Sequence, residues 1–423
     1  MKILFITYYW PPCGGVSAQR ITHFVSELAK RGHECHVVIP ENPTYYSVDE
    51  ALLAAIHKSV IEHRVYISDL TALIKRVNSN DGTNNVKSEG GTWKSRLLKW
   101  IRANVFIPDP KVLWLRPVIL KAIKLCKEQD FDLIYTNGTP HSLHLIGRRL
   151  QEHYKQTWVA DFRDPWTGID YFDNLPLNKR SLAKHKKLEE EVIKNADRVI
   201  TVSPTWAQEL GQIGGRQVHC ITNGYDTIVS RQPSDGFTLS HIGTLHGDRD
   251  LLPLVKVLND LDIDNDITLQ LIGSVDASLL HKLKANTTNI YIDAPGELEH
   301  HLAKREMAKA SILLLPINQS RDSKGRVPAK LFEYLTTGIP ILALGEINGD
   351  AAQIIADANA GITLSYDAHQ EIEHFIGKVA SGNTEVEVNL DVINEYSREN
   401  LAIKLEQLLE ELIEEKNGQP ESE

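Results

Sequence analysis

Short apolar runs alternate with segments of helical spacing along the chain. Residues 3–7 are an apolar run that ends in Thr7, residues 16–30 repeat apolar side chains every three or four positions, and residues 35–39 are apolar apart from His36. A short apolar run bounded by turn residues is typical of a buried parallel strand, and the segment between the two runs is typical of an amphipathic helix. The pattern predicts an α/β fold that opens with a strand, a loop, a helix and a second strand.

The alternation stops and restarts halfway along the chain. Further strands are predicted in the first half at residues 64–67, 133–136, 158–161 and 199–202, and in the second half at residues 238–242, 268–272, 290–292, 312–315 and 341–344. Helical segments such as 251–261 and 328–336 separate the second set. The sequence therefore predicts two Rossmann-like doubly wound domains, residues 1–222 and 223–396, joined near the sequence ITNGYD.

The end of the chain carries one long amphipathic segment. Residues 397–415 place Leu401, Leu405, Leu408 and Leu412 on one face, which predicts a helix that packs back on the first domain. Residues 416–423 are polar and are predicted to be disordered. The insert at residues 77–92 is rich in Asn, Ser, Gly and Asp, and it is predicted to be flexible.

Composition limits the class of protein. The 423 residues include 46 Lys and Arg against 56 Asp and Glu, giving a net charge of −10, which argues against wholesale binding of nucleic acid. The four cysteines have no metal-binding spacing and fit a reducing compartment. No apolar run approaches the roughly 20 residues that span a bilayer. A soluble, cytoplasmic protein is the expectation.

One segment reverses the overall charge. Residues 92–121 contain seven Lys or Arg and one acid, a local charge of +6. Within residues 93–102, Trp93, Leu97 and Trp100 recur at helical spacing with basic residues beside them, which is typical of a helix in a membrane interface. The alternative is an ordinary amphipathic helix packed on the first domain, with its basic side chains in water.

Two loops in the first half follow predicted strands, where open α/β sheets bind ligands. Gly14 and Gly15 follow the first strand, and paired glycines let backbone N–H groups approach a phosphate, although a plain turn explains them equally well. Asp161 ends the predicted strand at 158–161, and Arg163 and Asp164 follow it. They are predicted to belong to a site rather than to an ion pair that only fixes the loop.

Residues 326–340, with the sequence RVPAKLFEYLTTGIP, form the most specific segment. Pro328 favours a helix start, and Gly338 with Pro340 favours its end. Lys330, Glu333 and Tyr334 share one face of the predicted helix, and Leu331, Phe332 and Leu335 cover its core side. A cation and a carboxylate near a helix start suit a diphosphate and the two hydroxyls of a ribose. The alternative is a surface ion pair worth a few tenths of a kcal/mol.

The segment 326–340 resembles the signature helix of family 4 glycosyltransferases. The resemblance extends over most of the chain through the Gly-Gly loop, VADFRDPW, ADRVITVS, ITNGYD, HIGTL and the C-terminal helix. It implies the GT-B fold, in which two Rossmann-like domains face each other across a cleft. The DFRDPW and VPAKLFEYL forms are similar in particular to those of bacterial enzymes that build cell-surface polysaccharides.

The resemblance also implies roles for individual residues. Glu333 would hold the nucleotide ribose, Lys330 and Arg326 would neutralise the diphosphate, and Gly14 with Gly15 would contact the donor phosphate or the acceptor. Backbone groups of Gly243 and Thr244 would add contacts to the diphosphate. Two positions depart from the family pattern: Gly325 replaces a glutamate, and the usual Arg and Lys after the first strand of the second domain are missing from residues 243–254.

Family members commonly place a histidine after the strand at 133–136, where it contacts the donor sugar. In this chain Asn137 lies nearest that position, and His141 begins the next helix. The resemblance makes His141 a candidate catalytic contact and Asn137 a donor contact. Residues 262–264 imitate the Asp-x-Asp metal motif of another glycosyltransferase class, but a solvated turn is the prediction there.

These inferences predict a retaining, metal-independent glycosyltransferase without a cofactor. It would move a sugar from a nucleoside diphosphate sugar to a hydroxyl acceptor, such as a lipid-linked saccharide. The saccharide would be presented at the anionic inner face of the cell membrane. Two alternatives remain open at this point: a GT-B nucleotide-sugar epimerase, and a non-catalytic protein that binds nucleotide sugars.

Overall fold

The computed structural model describes residues 1–67, 93–232, 236–246, 249–261, 266–383 and 386–418. Within these described residues, seven strands lie in the first half: β1 Lys2–Ile6, β2 Glu34–Pro40, β3 Ile61–Val65, β4 Leu133–Gly138, β5 Trp158–Phe162, β6 Arg198–Thr201 and β7 His219–Cys220. Six lie in the second half: β8 Phe237–Ile242, β9 Ile267–Ile272, β10 Ile290–Gly296, β11 Ile312–Pro316, β12 Ile341–Leu344 and β13 Gly361–Leu364.

Helices follow most of the strands. In the first half they are Val16–Lys30, Trp93–Asn104, Leu115–Glu128, Ser142–Tyr154, Lys179–Asn195 and Pro204–Gly214. In the second half they are Leu252–Asp260, Ala277–Lys284, His300–Met307, Lys330–Leu335, Asp350–Asp357, His369–Ala380, Leu390–Asn394 and Arg398–Gly418. Short 3₁₀ helices span Glu50–Ala55, Pro110–Trp114, Asp170–Asn174 and Ser323–Gly325.

The strands form two parallel sheets. The first has the order β3-β2-β1-β4-β5-β6-β7, and the second has the order β10-β9-β8-β11-β12-β13. The central strands β1, β4, β11 and β12 are almost wholly buried, as expected when helices cover both faces of a sheet. The prediction of two Rossmann-like α/β domains is confirmed.

The chain divides into two compact units, Met1–Thr222 with Ala402–Glu423, and Asn223–Leu401. The C-terminal helix therefore starts in the second unit and continues as part of the first. Ion pairs hold its later turns there: Nε of Arg31 lies 2.5 Å from Oε2 of Glu406, and Nζ of Lys416 lies 2.6 Å from Oδ1 of Asp197.

Several predicted boundaries need correction. The C-terminal helix runs to Gly418, so residues 416–418 are helical rather than part of a disordered tail. The third strand lies at Ile61–Val65 instead of 64–67, because the pattern of apolar residues at this sheet edge is weak. β7 and β13 were not predicted. The insert at 77–92, the turn at 262–264 and residues 419–423 lie outside the described residues.

Each sheet has one point where the strand order reverses. In the first sheet β1 lies between β2 and β4, and in the second β8 lies between β9 and β11. Loops that leave such neighbouring strands run to opposite faces and open a crevice at the carboxyl ends, where α/β folds bind ligands. The loops after β1 and β4, and those after β8 and β11, are therefore the places to search for a site.

Candidate active site

Lys330 lies at the strand-order reversal of the second unit. It is the first residue of the helix Lys330–Leu335, which follows β11, and its ammonium group lies against Gly243 at the end of β8. Gly243 has a φ of +123°, and a methyl group in its place would collide with Nζ of Lys330. The positive φ favours glycine at this position, and the missing side chain leaves room for the end of the lysine.

The environment of Lys330 favours its neutral form. Burial of the ammonium group and the charge of Arg249 lower the pKa of Lys330 to about 7. Nζ of Lys330 also lies 3.4 Å from Nε2 of His241, a buried residue of β8. An anion that arrived here would meet a lysine that can take up a proton at neutral pH, with a permanently charged arginine close by.

His241 has a defined tautomer. Its Nδ1 lies 3.0 Å from the carbonyl oxygen of Leu314. A carbonyl can only accept a hydrogen bond, so Nδ1 carries the proton and Nε2 presents its lone pair to Lys330. Burial and the charge of Lys330 lower the pKa of His241 well below its usual range, which keeps the ring neutral.

The helix Lys330–Leu335 is fixed by its buried face. Leu331, Phe332 and Leu335 are in the core, as the spacing predicted. Tyr334 was predicted on the face of Lys330 and Glu333, but it is buried with the core residues. The hydroxyl of Tyr334 accepts a hydrogen bond of 2.9 Å from the backbone N–H of Ile242. This bond joins the helix to the end of β8, so Lys330 and Gly243 are held in a constant relation.

Glu333 lies one helical turn after Lys330. Its Oε1 is 3.1 Å from Nε2 of His300 and 3.5 Å from Nζ of Lys304, both on the helix His300–Met307. Burial raises the pKa of Glu333, but the hydrogen bond from His300 and the charge of Lys304 outweigh it, so the pKa is lowered overall. The carboxylate is therefore ionised and oriented, ready to accept hydrogen bonds from vicinal hydroxyls.

Arg326 has a different partner from the one expected. Its Nη2 donates to Oδ2 of Asp322 at 2.6 Å, and the Asp322 carboxylate is almost fully buried. Gly325, which stands where the family has a glutamate, is buried in the 3₁₀ helix Ser323–Gly325 between them. Because the buried carboxylate offsets the guanidinium charge, the role of Arg326 toward a diphosphate stays a prediction.

The backbone after β8 is only partly available to a ligand. The N–H of Gly243 donates to the carbonyl oxygen of Ile272 at 2.7 Å, so this donor is already used. Thr244 is exposed, and its carbonyl accepts a hydrogen bond of 3.0 Å from Nη1 of Arg249. Gly243 therefore serves the site mainly through the space that it leaves for Lys330.

In the first unit, the Gly-Gly loop is covered by the loop that follows β2. The N–H of Gly14 donates to the carbonyl of Ser47 at 3.1 Å. Gly15 has a φ of +91°, and a methyl group there would collide with the hydroxyl of Tyr46. Both glycines thus permit a close approach, but the groups that approach in this structure are those of Ser47 and Tyr46.

Asp161 is buried below the carboxyl edge of the first sheet. Nε of Arg20 lies 3.1 Å from its Oδ2, and the hydroxyl of Tyr135 donates to the same oxygen at 2.8 Å. The side chains of Arg20 and Asp161 are nearly or fully buried, and Nη1 of Arg20 also donates to the carbonyl of Thr222. This network positions the strand end, so any contact of Asp161 with substrate is indirect.

Arg163 and Asp164 lie nearer the surface. They form an ion pair, and Nη2 of Arg163 also donates to the hydroxyl of Thr139 at 3.1 Å. That hydroxyl donates in turn to Oδ2 of Asp164. About a fifth of each charged side chain is exposed, 22% for Arg163 and 19% for Asp164, so both can reach a ligand without leaving the loop.

His141 is buried and stacks on Trp166, with ring centroids 5.1 Å apart and an angle of 2° between the planes. Among the described residues, neither of its ring nitrogens has a hydrogen-bond partner. Burial, together with His144 and Arg163, lowers the pKa of His141 well below its usual range. A neutral imidazole with unused polar atoms is a candidate ligand contact.

Asn137 lies in the same region. Its Nδ2 is 3.5 Å from the hydroxyl of Thr7, and within the described part of the chain its buried Oδ1 has no partner. The structure therefore brings Asn137, His141 and Arg163 to the carboxyl edge of one sheet. It brings Lys330, Gly243 and Glu333 to that of the other.

One group of side chains within the described residues has a geometry that a metal ion could use. It consists of His33, Glu406 and Glu410. Glu406 already contacts Arg31 at 2.5 Å, and the amino terminus lies 3.0 Å from Nδ1 of His33, so two positive groups surround the three ligands. Repulsion from these groups disfavours a cation there.

Sequence reasoning missed two residues of the lysine site. Arg249 lies within the segment in which the family's basic residues are missing, yet it is close enough to lower the pKa of Lys330. His241 was noticed only as part of the HIGTL motif. The signal available for His241 was a histidine in the middle of an apolar strand, since such a residue needs polar partners.

The comparisons with known proteins agree with the two-domain fold. The sequence model of glycosyltransferase family 4 matches residues 14–228. No curated protein sequence matches the chain significantly.

Three solved structures are similar over nearly the whole chain. HepE from Anabaena in complex with UDP has a TM-score of 0.63 at 15% identity and covers 97% of this chain and 100% of its own. Sucrose-phosphate synthase from Thermosynechococcus elongatus has a TM-score of 0.66 at 13% identity, with 98% and 99% covered. The lipopolysaccharide galactosyltransferase WaaB has a TM-score of 0.60 at 14% identity, with 98% and 100% covered. At these identities the likeness shows the shared GT-B fold.

Proposed function

The chain belongs to glycosyltransferase family 4, and we propose that it transfers a sugar from a nucleoside diphosphate sugar to a hydroxyl group of an acceptor saccharide. The observation that carries the donor assignment is the spacing of a titratable cation and an ionised carboxylate along one short helix. Lys330 faces Gly243 and lies close to Arg249, and Glu333 lies one turn later. A nucleoside diphosphate offers two phosphates and two vicinal hydroxyls, which match this pair of groups.

The proposed chemistry needs stabilisation of a leaving group. When the bond between the anomeric carbon and the phosphate oxygen breaks, the diphosphate carries the released negative charge. Lys330 and Arg249 supply positive charge where the negative charge develops, while the acceptor oxygen bonds to the anomeric carbon and its hydroxyl proton passes to the departing phosphate oxygen. Protein cations therefore take the part that a metal ion plays in other transferases, and we propose a metal-independent reaction that retains the anomeric configuration.

The acceptor is proposed to bind the first unit. Arg163 and Asp164 offer a donor and an acceptor of hydrogen bonds in a partly exposed position, and the two nitrogens of His141 lack partners among the described residues. A saccharide hydroxyl can both donate and accept, so it suits such a set. Asn137 and His141 are proposed to contact the transferred sugar, and the Arg163 and Asp164 pair the acceptor.

A lipid-linked acceptor is favoured by the helix Trp93–Asn104. Trp93 is 70% exposed, Leu97 47% and Trp100 44%, and Arg96, Lys99 and Arg102 beside them are exposed as well. Tryptophans with flanking cations suit the headgroup level of an anionic membrane. Among the described residues, no helix has the length and apolar character to cross a bilayer. On the evidence of the exposed tryptophans and cations we propose peripheral attachment through 93–102, which would place the enzyme beside lipid-linked saccharides of surface polysaccharide synthesis.

A donor screen followed by product analysis tests the proposal. Thermal shift with UDP-, GDP- and dTDP-sugars identifies the donor, because a ligand that binds only the native state raises the melting temperature. Transfer to glycoside acceptors is then measured, and proton NMR of the first product gives its anomeric configuration. A retained configuration is expected.

Each other outcome has a distinct meaning. Conversion of the nucleotide sugar into an isomer without an acceptor would indicate an epimerase. Donor binding without transfer or slow hydrolysis would indicate a non-catalytic binding protein. If no nucleotide sugar binds at all, the assignment of Lys330 and Glu333 is wrong.

A further inference from the structure

Three tyrosines from three different loops of the first unit lie within electrostatic reach of Arg163. Tyr9 follows β1, Tyr46 lies in the loop after β2, and Tyr171 lies in the 3₁₀ helix Asp170–Asn174 beyond β5. Tyr46 is 68% exposed and Tyr171 is 47% exposed, while Tyr9 is half-buried. Large aromatic side chains with this much exposed surface, gathered at the carboxyl edge of one sheet, call for a binding partner.

Tyr46 is held in place although it is exposed. Its loop pairs with the Gly-Gly loop through an isolated bridge between Cys13 and Val48 and through a hydrogen bond of 2.8 Å from the N–H of Asp49 to the carbonyl of Pro12. Its ring contacts Tyr9 edge to face, with centroids 5.9 Å apart. Gly15 leaves room for its hydroxyl. The ring is therefore a fixed surface, and little conformational entropy remains to be lost on binding.

The hydroxyl end of Tyr46 is turned to the protein, where it lies against Gly15. Burial raises the pKa of the hydroxyls of Tyr46 and Tyr171, although 68% of the surface of Tyr46 and 47% of that of Tyr171 are exposed. For Tyr46, whose hydroxyl lies against Gly15, the exposed area belongs mainly to the ring. Such a surface offers an apolar ring face to a ligand and keeps the hydroxyl turned to the protein.

The ion pair determines which ligand fits. The charges of Arg163 and Asp164 both act on the hydroxyls of Tyr46 and Tyr171, so the ion pair lies within electrostatic reach of both tyrosines. A carboxylate in this position repels a phosphate, and a charged pair is a poor neighbour for an acyl chain. A sugar ring fits both features, because it has an apolar face of C–H groups and an edge of hydroxyls that donate and accept.

We propose that Tyr46, with Tyr9 and Tyr171 beside it, stacks on the apolar face of a sugar ring of the acceptor, whose hydroxyls bind Asp164 and Arg163. This inference rests on the proposed glycosyl transfer and deepens it, since it assigns the recognition of the acceptor to an aromatic platform. A saccharide unit is thereby the recognised part of the acceptor, whatever carrier it is attached to.

Binding of simple glycosides tests the platform without knowledge of the natural acceptor. The probes are methyl α- and β-glycosides of glucose, galactose, mannose and N-acetylglucosamine, measured on the full chain by saturation-transfer NMR titration. The variants are Tyr46→Ala, Tyr46→Phe, which keeps the ring, and Tyr66→Ala, a control whose tyrosine is 63% exposed on the same unit. Loss of one stacked ring is expected to weaken binding about 5- to 10-fold in Tyr46→Ala. Tyr46→Phe and Tyr66→Ala should stay near the parent.

The affinity for UDP, GDP or dTDP is measured on the same samples. It should be unchanged in all variants, which shows that Tyr46→Ala is folded and that its defect concerns the acceptor. The proposal is overturned if no glycoside binds the parent, or if Tyr46→Ala binds as well as the parent. A failure of the proposed function would give a different result: the parent would bind no nucleotide and transfer no sugar.

Discussion

Nζ of Lys330 lies 3.4 Å from Nε2 of His241, and the carbonyl of Leu314 holds His241 in the tautomer that accepts a hydrogen bond from the lysine. The lysine therefore has a neutral acceptor beside it. Of the charges that act on it, that of Arg249 disfavours the ammonium form and that of Glu333 favours it. Lys330 can therefore take up a proton and become a cation when an anion binds beside it.

This arrangement predicts that donor binding takes up a proton. The pKa of Lys330 is about 7 in the free protein, and a bound diphosphate favours the protonated form and raises that pKa. Above about pH 7 the lysine must gain a proton to bind, so affinity for a nucleotide sugar should fall as pH rises, by up to about tenfold per unit. Calorimetry from pH 6 to pH 9, in buffers of different ionisation enthalpy, measures both the affinity and the proton.

Lys330→Arg is the control for this pH dependence. A guanidinium stays charged throughout the range, so the affinity of this variant should change little with pH. If the parent and Lys330→Arg follow the same profile, another group is titrating.

Lys330→Met should lower kcat more than it weakens donor binding, since charge on the leaving group grows in the transition state.

Gly243→Ala should damage the lysine site directly. Its φ of +123° is strained for alanine by about 1–3 kcal/mol, and the added methyl group would displace the ammonium of Lys330. Both the melting temperature and the donor affinity should fall. Gly382→Ala is the matched control, because Gly382 also has a positive φ but has open space around it. That variant should lose stability alone; a normal donor affinity in Gly243→Ala would contradict the assignment.

The helix Lys330–Leu335 shows which features of the site could be predicted from the sequence. Its apolar spacing and its proline and glycine boundaries predicted the helix and its core face, since those depend on neighbours in the chain. The partners of Glu333 could not be predicted, because His300 and Lys304 come from a helix some 30 positions earlier that packs beside it. Arg249 was missed for the same reason: its closeness to Lys330 depends on the path of a loop.

The first unit shows the same limit. The residues after β5 were predicted as a site from their position at a strand end, and the structure places Arg163 and Asp164 near the surface there. Asp161 precedes them by only two residues and is buried under the sheet edge by Arg20. Alternation along a strand sets which residue points inward, but the depth of burial depends on the packed helix.

Glu333→Ala should weaken nucleotide affinity by about 1.5–3 kcal/mol, the range for hydrogen bonds to a charged group. The fold should be intact, because the carboxylate is part of no core. Glu299→Ala is the control, since Glu299 is 77% exposed and contacts only the exposed His301 among the ion pairs of the described residues. Calorimetry measures the affinity for the donor that the screen identifies. An unchanged affinity in Glu333→Ala would contradict the assignment of Glu333 to the ribose.

Transfer should continue in the presence of a chelator. Lys330 and Arg249 neutralise the leaving group, so EDTA at millimolar concentration is expected to leave the initial rate near that of the untreated enzyme. The rate is measured with and without EDTA, and then after addition of excess Mn²⁺ or Mg²⁺. A complete loss in EDTA that either ion restores would show that the reaction needs a metal.

The helix Trp93–Asn104 should bind the protein to anionic membranes. Each Lys or Arg near an anionic leaflet contributes about 1 kcal/mol, so charge reversal of four of them should abolish binding to vesicles that contain phosphatidylglycerol. The test variant changes Lys94, Arg96, Lys99 and Arg102 to Glu. A matched control makes the same change of charge at exposed positions of the helix Lys179–Asn195, namely Lys179, Arg180, Lys184 and Lys186.

Co-sedimentation at low and high salt separates the two forces. The parent and the control should bind at low salt and lose part of the binding at high salt, because screening weakens the attraction of charges but leaves the burial of Trp93 and Trp100. Trp93→Ala with Trp100→Ala should remove the part that resists salt. Equal binding by the parent and the charge-reversed variant, or none by either, would leave Trp93–Asn104 as a surface helix and favour a soluble acceptor.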